Sequence, residues 1–205
     1  MPVKETTVEI KLKNLKNNLE YLKSKISSKT KFMAVVKAFS YGSDSRVVSQ
    51  ELERLGVNYL AVAYTQEGVD LRKFGIKIPI LILHPQEKDF ENIIENQLEP
   101  SIYSFRILSF FIKALKKKNK TSYPYHIKFN TGLNRLGFSE HEIDSILSKL
   151  KETTSVKVKS LFSHLAASED LNEREFTLNQ ISAFKCISEK MINSLGYTLI
   201  RHMCN

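Results

Sequence analysis

The chain is poor in cysteine and contains no long uninterrupted apolar run, and these two absences exclude several classes of protein. Its 205 residues include two cysteines, Cys186 and Cys204, which lack the number and spacing of a disulfide scaffold or a zinc site. The longest apolar candidate for a membrane span, residues 76–83, is interrupted by Lys77 and Pro79. The N-terminus lacks the apolar core of a signal peptide. We therefore expect a cytoplasmic protein without a membrane or metal partner, in which both thiols are buried and inert.

Basic residues outnumber acidic ones, which gives the chain a formal net charge of +9. Such a charge is compatible with nucleic-acid binding, and five lysines cluster between Lys113 and Lys120. Cations are also favourable at the C-terminal end of a helix, and no nucleic-acid recognition motif accompanies the cluster. A basic nucleic-acid-binding domain is therefore an alternative that charge alone supports, and we expect no nucleic-acid partner.

Strand-like and helix-like patterns alternate seven times along the chain. Apolar residues three or four apart predict helices, and continuous apolar runs predict strands buried on both faces, as in a parallel sheet. This alternation predicts an α/β fold that is one unit short of a closed (β/α)8 barrel. The predicted strands are residues 32–37, 59–64, 79–83, 99–103, 125–129, 156–162 and 197–203, and the predicted helices are residues 12–26, 46–55, 66–74, 90–96, 105–115, a helix that begins near a capping box at Ser139 and Glu142, and 184–195.

Lys37 closes the first apolar run and is the first candidate functional residue. A buried strand that delivers a lysine to a turn would shield the amine from water, lower its pKa and favour attack on a carbonyl group. Tyr41 and Gly42 follow at turn spacing, where a phenol and a flexible backbone suit a phosphate. A solvated strand end is the commoner alternative for a lone lysine.

Other polar residues follow later strands, and in a parallel barrel the C-terminal strand ends surround the active site. Arg135 lies between Gly132 and Gly137, in a turn that would present one guanidinium to a carboxylate or an oxyanion. Lys128 could instead reach solvent, Arg135 could cap a carbonyl, and a lone histidine is often a satisfied core residue. The candidates at these strand ends are Lys37, Tyr41, Lys128, Asn130, Arg135, His164 and Asn205.

Four motifs, in this order, resemble the N-terminal barrel of the alanine racemase family, whose members depend on pyridoxal 5′-phosphate (PLP). The resemblance extends from the helix at Leu12 to the last residue. The sequence of residues 39–43 is most similar to that of racemases from the Bacteroidetes, some of which are fused to a cell-wall ligase. The motifs are Ala34-Val35-Val36-Lys37-Ala38 with Tyr41-Gly42, Thr131-Gly132-Leu133-Asn134-Arg135-Leu136-Gly137, Ser163-His164-Leu165-Ala166-Ala167, and His202-Met203-Cys204-Asn205.

The resemblance implies a role for each residue that matches a family motif. Lys37 would carry PLP as a Schiff base and act as one of two catalytic bases. Tyr41 would bind the cofactor phosphate, Leu83 would pack beside the cofactor ring, and Asn205 would belong to the cofactor shell.

The same resemblance assigns roles around the fifth and sixth strands. Arg135 would contact the substrate carboxylate and the phenolic oxygen of the cofactor, and His164 would lie against the cofactor ring. Lys128 matches a position that is often carbamylated in the family. Asn130 departs from the pattern, because the family usually has an aspartate there.

The resemblance also implies the extent and activity of the chain. Residues 1–205 would be the PLP-binding barrel, truncated before its last strand and lacking the C-terminal β-domain. The family interconverts L-alanine and D-alanine for peptidoglycan and forms homodimers. We expect the isolated chain to be inactive, because the arginine facing the pyridine nitrogen and the tyrosine that is the second base would lie in the missing parts. A non-catalytic PLP carrier with the same barrel is the alternative, and a related decarboxylase has no motif support.

Overall fold

A computed structural model describes residues 7–204 of the chain, with the side chain of Cys204 excepted. The chain divides into two compact units. The first comprises Met1–His84 and Glu95–Leu98, and the second comprises Pro85–Ile94 and Glu99–Asn205. Each unit contains parallel strands connected by helices, as expected for an α/β fold.

The first unit contains three parallel strands in the order β1, β2, β3. Ala34 is paired with Leu60, and Leu60 is paired with Ile80. Every residue of β2 and β3 is buried, as the continuous apolar runs predict. The elements are α1 (Leu12–Ser24), β1 (Met33–Val35), α2 (Lys37–Gly42), α3 (Ser45–Arg54), β2 (Tyr59–Val62), α4 (Thr65–Lys73) and β3 (Ile80–Ile82).

Strand β1 is shorter and more exposed than the sequence predicts. It covers Met33–Val35, and the side chain of Val35 is 43% exposed. Among the described residues of this unit, β1 pairs with β2 alone, so its other edge lacks a strand neighbour. The prediction that Lys37 ends the strand is therefore wrong, because Lys37 begins the helical turn α2.

The second unit contains four parallel strands in the order β4, β5, β6, β7. Helix α6 packs Phe111 against Tyr123 and Tyr125 of β5, and α8 buries Phe184 and Met191. The elements are most of α5 (Phe90–Glu95), β4 (Glu99–Ile102), α6 (Phe105–Lys117), β5 (Tyr123–Lys128), α7 (Ile143–Lys151), β6 (Val156–His164), α8 (Arg174–Leu195) and β7 (Ile200–Cys204).

Two local predictions have opposite outcomes. The capping box is confirmed, because Glu142 Oε2 accepts hydrogen bonds from Ser139 N at 2.7 Å and Ser139 Oγ at 3.0 Å ahead of α7. The predicted burial of Cys186 is wrong: the residue is exposed on α8, since Phe184 and Ile187 occupy the buried face there. In the part of the chain that the structure describes, no helix has the length and apolar character needed to cross a membrane.

Strand β6 contains one extra residue relative to β5. Tyr125 is paired with Val158, whereas the next residue, His126, is paired with Ser160, so that Lys159 has no partner in β5. This bulge shifts the side-chain alternation of β6 by one position. As a result, Ser160 faces the same side of the sheet as His126, and Val158 faces the same side as Tyr125.

Gly137 closes the loop after β5, where the backbone folds back on itself. Asn130 N donates to Phe138 O, and Phe138 N donates to Lys128 O, both at 2.9 Å. A Cβ atom at Gly137 would lie 2.6 Å from Asn130 N and from Phe129 C, and the φ of Gly137 is +133°. Only glycine fits this position without displacing the backbone.

We therefore expect Gly137→Ala to lower the free energy of unfolding by about 3 kcal/mol or more, because it combines backbone strain with a steric clash. Gly196→Ala is the matched control: Gly196 also has a positive φ, +74°, but open space surrounds its Cβ position. The control should cost about 1 kcal/mol. Urea unfolding of both variants measures the difference, and equal losses would contradict the steric argument.

Candidate active site

The residues after β1 form a left-handed turn that presents Lys37. Val36 is buried, and its N–H donates to Ala61 O at 2.8 Å. The following residues, Ala38 to Tyr41, all have φ between +51° and +57°. Left-handed backbone costs about 1–2 kcal/mol for each residue with a Cβ atom, so surrounding contacts must hold this turn.

The turn brings Lys37 and Tyr41 together. Lys37 is half-buried, and its Nζ lies 5.9 Å from the centroid of the Tyr41 ring. Tyr41 itself is 68% exposed, so its hydroxyl is accessible. Leu83, which directly follows β3, is half-buried and donates its N–H to Val62 O at 2.9 Å.

One carboxylate connects this turn to the start of α4. Glu67 Oε1 accepts a hydrogen bond from Ala38 N at 2.6 Å, and Glu67 Oε2 accepts from Ala63 N at 2.8 Å and Tyr64 N at 2.9 Å. Glu67 thereby caps α4 and also fixes the peptide that follows Lys37.

In the second unit, Lys128, Phe162 and His202 occupy one level across β5, β6 and β7. Lys128 Nζ lies 5.8 Å from the Phe162 ring centroid, and the His202 ring stacks on Phe162 at 4.8 Å between centroids. Burial, together with the nearby charge of Arg135, lowers the pKa of Lys128 to about 8. Burial lowers the pKa of His202 to about 3, so that His202 is neutral at physiological pH.

A hydrogen-bonded chain lies below this level. Glu99 Oε2 is 2.7 Å from His126 Nε2, and His126 Nδ1 is 2.6 Å from Ser160 Oγ. Ser160 Oγ is in turn 3.2 Å from His202 Nε2. All these groups are satisfied when His126 donates from Nε2 to Glu99 and accepts the Ser160 hydroxyl, while His202 donates to Ser160. The chain thus orients the neutral His202 ring.

The loop after β5 is organised by Asn130. Its Oδ1 accepts from Gly132 N at 3.2 Å and from Asn134 N at 2.9 Å, and its Nδ2 donates to Asn134 Oδ1 at 2.9 Å. An aspartate could accept the two backbone hydrogen bonds but could not donate to Asn134. Arg135, at the exposed tip of this loop, makes no hydrogen bond or ion pair with residues 7–204.

Gln180 of α8 connects the loops that follow β5 and β6. Its Nε2 lies 3.3 Å from His164 O and 3.5 Å from Thr131 Oγ1, and its Oε1 accepts from Ala166 N at 3.0 Å. Gln180 is 1% exposed. His164, at the end of β6, is therefore held through its backbone by α8.

The structure groups the predicted site residues within each unit. The first unit contains Lys37, Tyr41 and Leu83, and the second contains Lys128, Arg135 and His164. Asn205 lies outside the described residues. The sequence interpretation assigned no role to Glu67, Gln180 or the polar chain. Of these, only the hydrogen-bonded chain could have been found from the sequence, because His126 and Lys128 lie two positions apart and so share a face of β5. The residues without a predicted role are Glu67, Glu99, His126, Ser160, Gln180 and His202.

Comparison with known proteins identifies the family. The family model described as alanine racemase, N-terminal domain, matches residues 10–205 of the chain. The chain belongs to this family. It is 33% identical over 200 residues to the alanine racemase of Thermodesulfovibrio yellowstonii, covering 96% of this chain and 53% of that protein. The chain thus spans about half the length of the alanine racemases it matches.

Solved structures of alanine racemases have the same fold. The enzyme from Clostridium difficile 630 matches 94% of this chain and 50% of its own chain, with a TM-score of 0.87 and 30% identity. The enzyme from Bartonella henselae, solved with covalently bound pyridoxal phosphate, matches 95% of this chain and 55% of its own, with a TM-score of 0.82 and 24% identity. These matches confirm the predicted fold class, an α/β fold of the (β/α)8 barrel type.

The lowered pKa of Lys128 in this racemase domain predicts a pH-dependent stability. The folded protein binds fewer protons than the unfolded chain between about pH 8 and the ordinary lysine pKa of 10.5, so the free energy of unfolding should rise with pH across that window. Compared with Lys128→Met, the native protein should gain about 1 kcal/mol between pH 8 and pH 10, an amount reduced by partial solvent screening. Urea unfolding at each pH measures this difference. A constant difference would show that the Lys128 pKa is ordinary.

Proposed function

We propose that residues 1–205 are the N-terminal, PLP-binding domain of an alanine racemase that interconverts L-alanine and D-alanine. The observation that carries the proposal is the left-handed turn, which presents the Lys37 amine above the Tyr41 ring in a chain that matches the family from residue 10 to residue 205. The alanine racemases from Thermodesulfovibrio yellowstonii and Clostridium difficile support the same activity by name.

The residues present fit PLP in charge and chemistry. The cofactor carries an anionic phosphate, a phenolic oxygen and an aldehyde, which call for cations, hydrogen-bond donors and one amine. Lys37 would supply the amine, Tyr41 the phosphate contact, and Arg135 the contact to the phenolic oxygen. Leu83 and His164 would lie against the ring, and Asn205 would complete the cofactor shell. Arg135 suits this role because no described residue neutralises its guanidinium.

Each side chain would perform a simple step in racemisation. PLP, when bound, supplies an electron sink for the charge left when the α-proton of alanine departs. Lys37 Nζ would remove or return that proton on one face of the substrate. Arg135 would bind the substrate carboxylate through its guanidinium. A second base, on the opposite face, would come from outside residues 1–205, and we propose that it belongs to the partner subunit of a homodimer.

The wider context follows from the same assignment. The complete enzyme would be cytoplasmic and would supply D-alanine for peptidoglycan, with L-alanine and D-alanine as its ligands. A barrel that ends before its last strand and an origin close to the Bacteroidetes enzymes remain predictions from the sequence motifs.

Covalent capture of PLP tests the proposed cofactor site. Borohydride added to the chain with PLP should reduce the amine–aldehyde linkage and leave a stable adduct on Lys37, because this amine is presented in a folded turn rather than on a mobile loop. Peptide mass spectrometry identifies the modified lysine. Lys37→Ala should lose the adduct, whereas Lys31→Ala, which removes an exposed lysine nearby, should retain it.

Adduct spread evenly over surface lysines would contradict the assignment. The same preparations should form no measurable D-alanine from L-alanine, because the second base is outside the chain. Formation of appreciable D-alanine would contradict the proposal that a second base is required, but it would not contradict the proposed cofactor site.

We also propose that Lys128 is carbamylated. A pKa of about 8 leaves roughly a tenth of the amine neutral at pH 7, and the neutral amine is the form that attacks carbon dioxide. Deprotonation of the ammonium releases one proton, and formation of the N–C bond from the neutral amine releases a second. The cation near Arg135 thereby becomes an anion, which would replace a repulsive interaction with an attractive one.

Labelling with ¹³C-bicarbonate should therefore give a carbamate carbon resonance at neutral to mildly alkaline pH. Lys128→Met should lack this signal, and Lys149→Met, which removes a lysine from the exposed side of α7, should retain it. Identical spectra from the two variants would rule out Lys128 as the modified residue.

A further inference from the structure

We propose that Glu67 is the positioning residue for Lys37. The inference rests on the proposed function for its meaning, but the contacts that support it belong to the first unit alone. Three backbone N–H groups converge on this carboxylate, and two of them, from Ala63 and Tyr64, belong to the start of α4. The third comes from Ala38, 29 residues earlier in the chain, at 2.6 Å.

The contact to Ala38 goes beyond the needs of a helix cap. A glutamate three residues after the helix N-cap commonly accepts a hydrogen bond from the N-cap N–H, and Glu67 does so with Tyr64. That cap requires one carboxylate oxygen. The other oxygen, Oε1, is directed at the peptide that joins Lys37 to Ala38.

This geometry fixes the backbone on both sides of Lys37. The N–H of Val36, before Lys37, donates to Ala61 O at 2.8 Å, and the N–H of Ala38, after Lys37, donates to Glu67. Both acceptors belong to the segment from β2 to α4. The direction of the Lys37 side chain is therefore set by that segment, and the left-handed φ values of the turn begin at the residue that Glu67 holds.

Glu67→Gln separates the two roles of the carboxylate. Glutamine keeps one oxygen acceptor and can still cap α4. Its NH2 group, which replaces the second oxygen, is a donor and cannot accept the Ala38 N–H. The matched control is Glu53→Gln in the same unit, since Glu53 uses only Oε1 to accept from Lys77 N and Ile78 N, both at 2.8 Å. Both variants remove one negative charge.

The first measurement is borohydride capture of PLP on Lys37 as a function of PLP concentration. Glu67→Gln should need about tenfold more PLP for half-maximal labelling, the equivalent of one lost charge-assisted hydrogen bond, while Glu53→Gln should resemble the native protein. Glu67→Asp, which keeps the charge but shortens the reach, should show a smaller defect and provides the test if the glutamine variant does not fold. Half-maximal labelling of both Glu67 variants at the same PLP concentration as the native protein would overturn the inference.

The second measurement requires no cofactor. Acetylation of Lys37 by a small amine reagent across a pH series, read by peptide mass spectrometry, reports the environment of the amine directly. Loss of the Ala38 contact should change the pH profile of Lys37 acetylation in Glu67→Gln and leave it unchanged in Glu53→Gln. If the native chain takes up no PLP at Lys37 but this profile still shifts, the cofactor assignment fails and the positioning role stands. Superimposable profiles would refute the positioning role.

Discussion

The presentation of Lys37 depends on a backbone conformation that its own residues disfavour. Ala38 to Tyr41 all carry Cβ atoms, yet each holds a positive φ. Local propensity would unwind such a turn. It persists because Val36 is anchored to β2 and Ala38 is anchored to Glu67, so the neighbouring strand and helix determine the conformation.

The order and type of the elements could be predicted from the sequence, because they follow from apolar patterns. Continuous apolar runs at residues 59–64 and 79–83 predict buried parallel strands, and β2 and β3 are wholly buried. The capping box at Ser139 depends on local spacing and was also predictable. The burial of β1 could not be predicted from the sequence, because the burial of an edge strand depends on its neighbours rather than on its own residues.

The parts of the candidate site that could not be predicted all depend on distant contacts. Gly42 ends the left-handed run, but no glycine among Ala38 to Tyr41 signals the four positive φ values before it. The contact from Glu67 to Ala38 spans 29 residues, and Gln180 reaches loops that lie 14 to 49 residues away. By contrast, the position of Lys128 on the same face of β5 as His126 could be predicted from the sequence, because side chains alternate between the two faces of a strand.

The bulge at Lys159 gives β6 two separate halves. Up to Val158 the strand contributes apolar side chains to the helix-facing side, and from Ser160 onward its alternate residues serve the polar face. A substitution in the first half therefore alters packing without changing which residues stand on the polar face. The deletion of Lys159 would remove the bulge without moving either half, because Val158 would still pair with Tyr125 and Ser160 with His126.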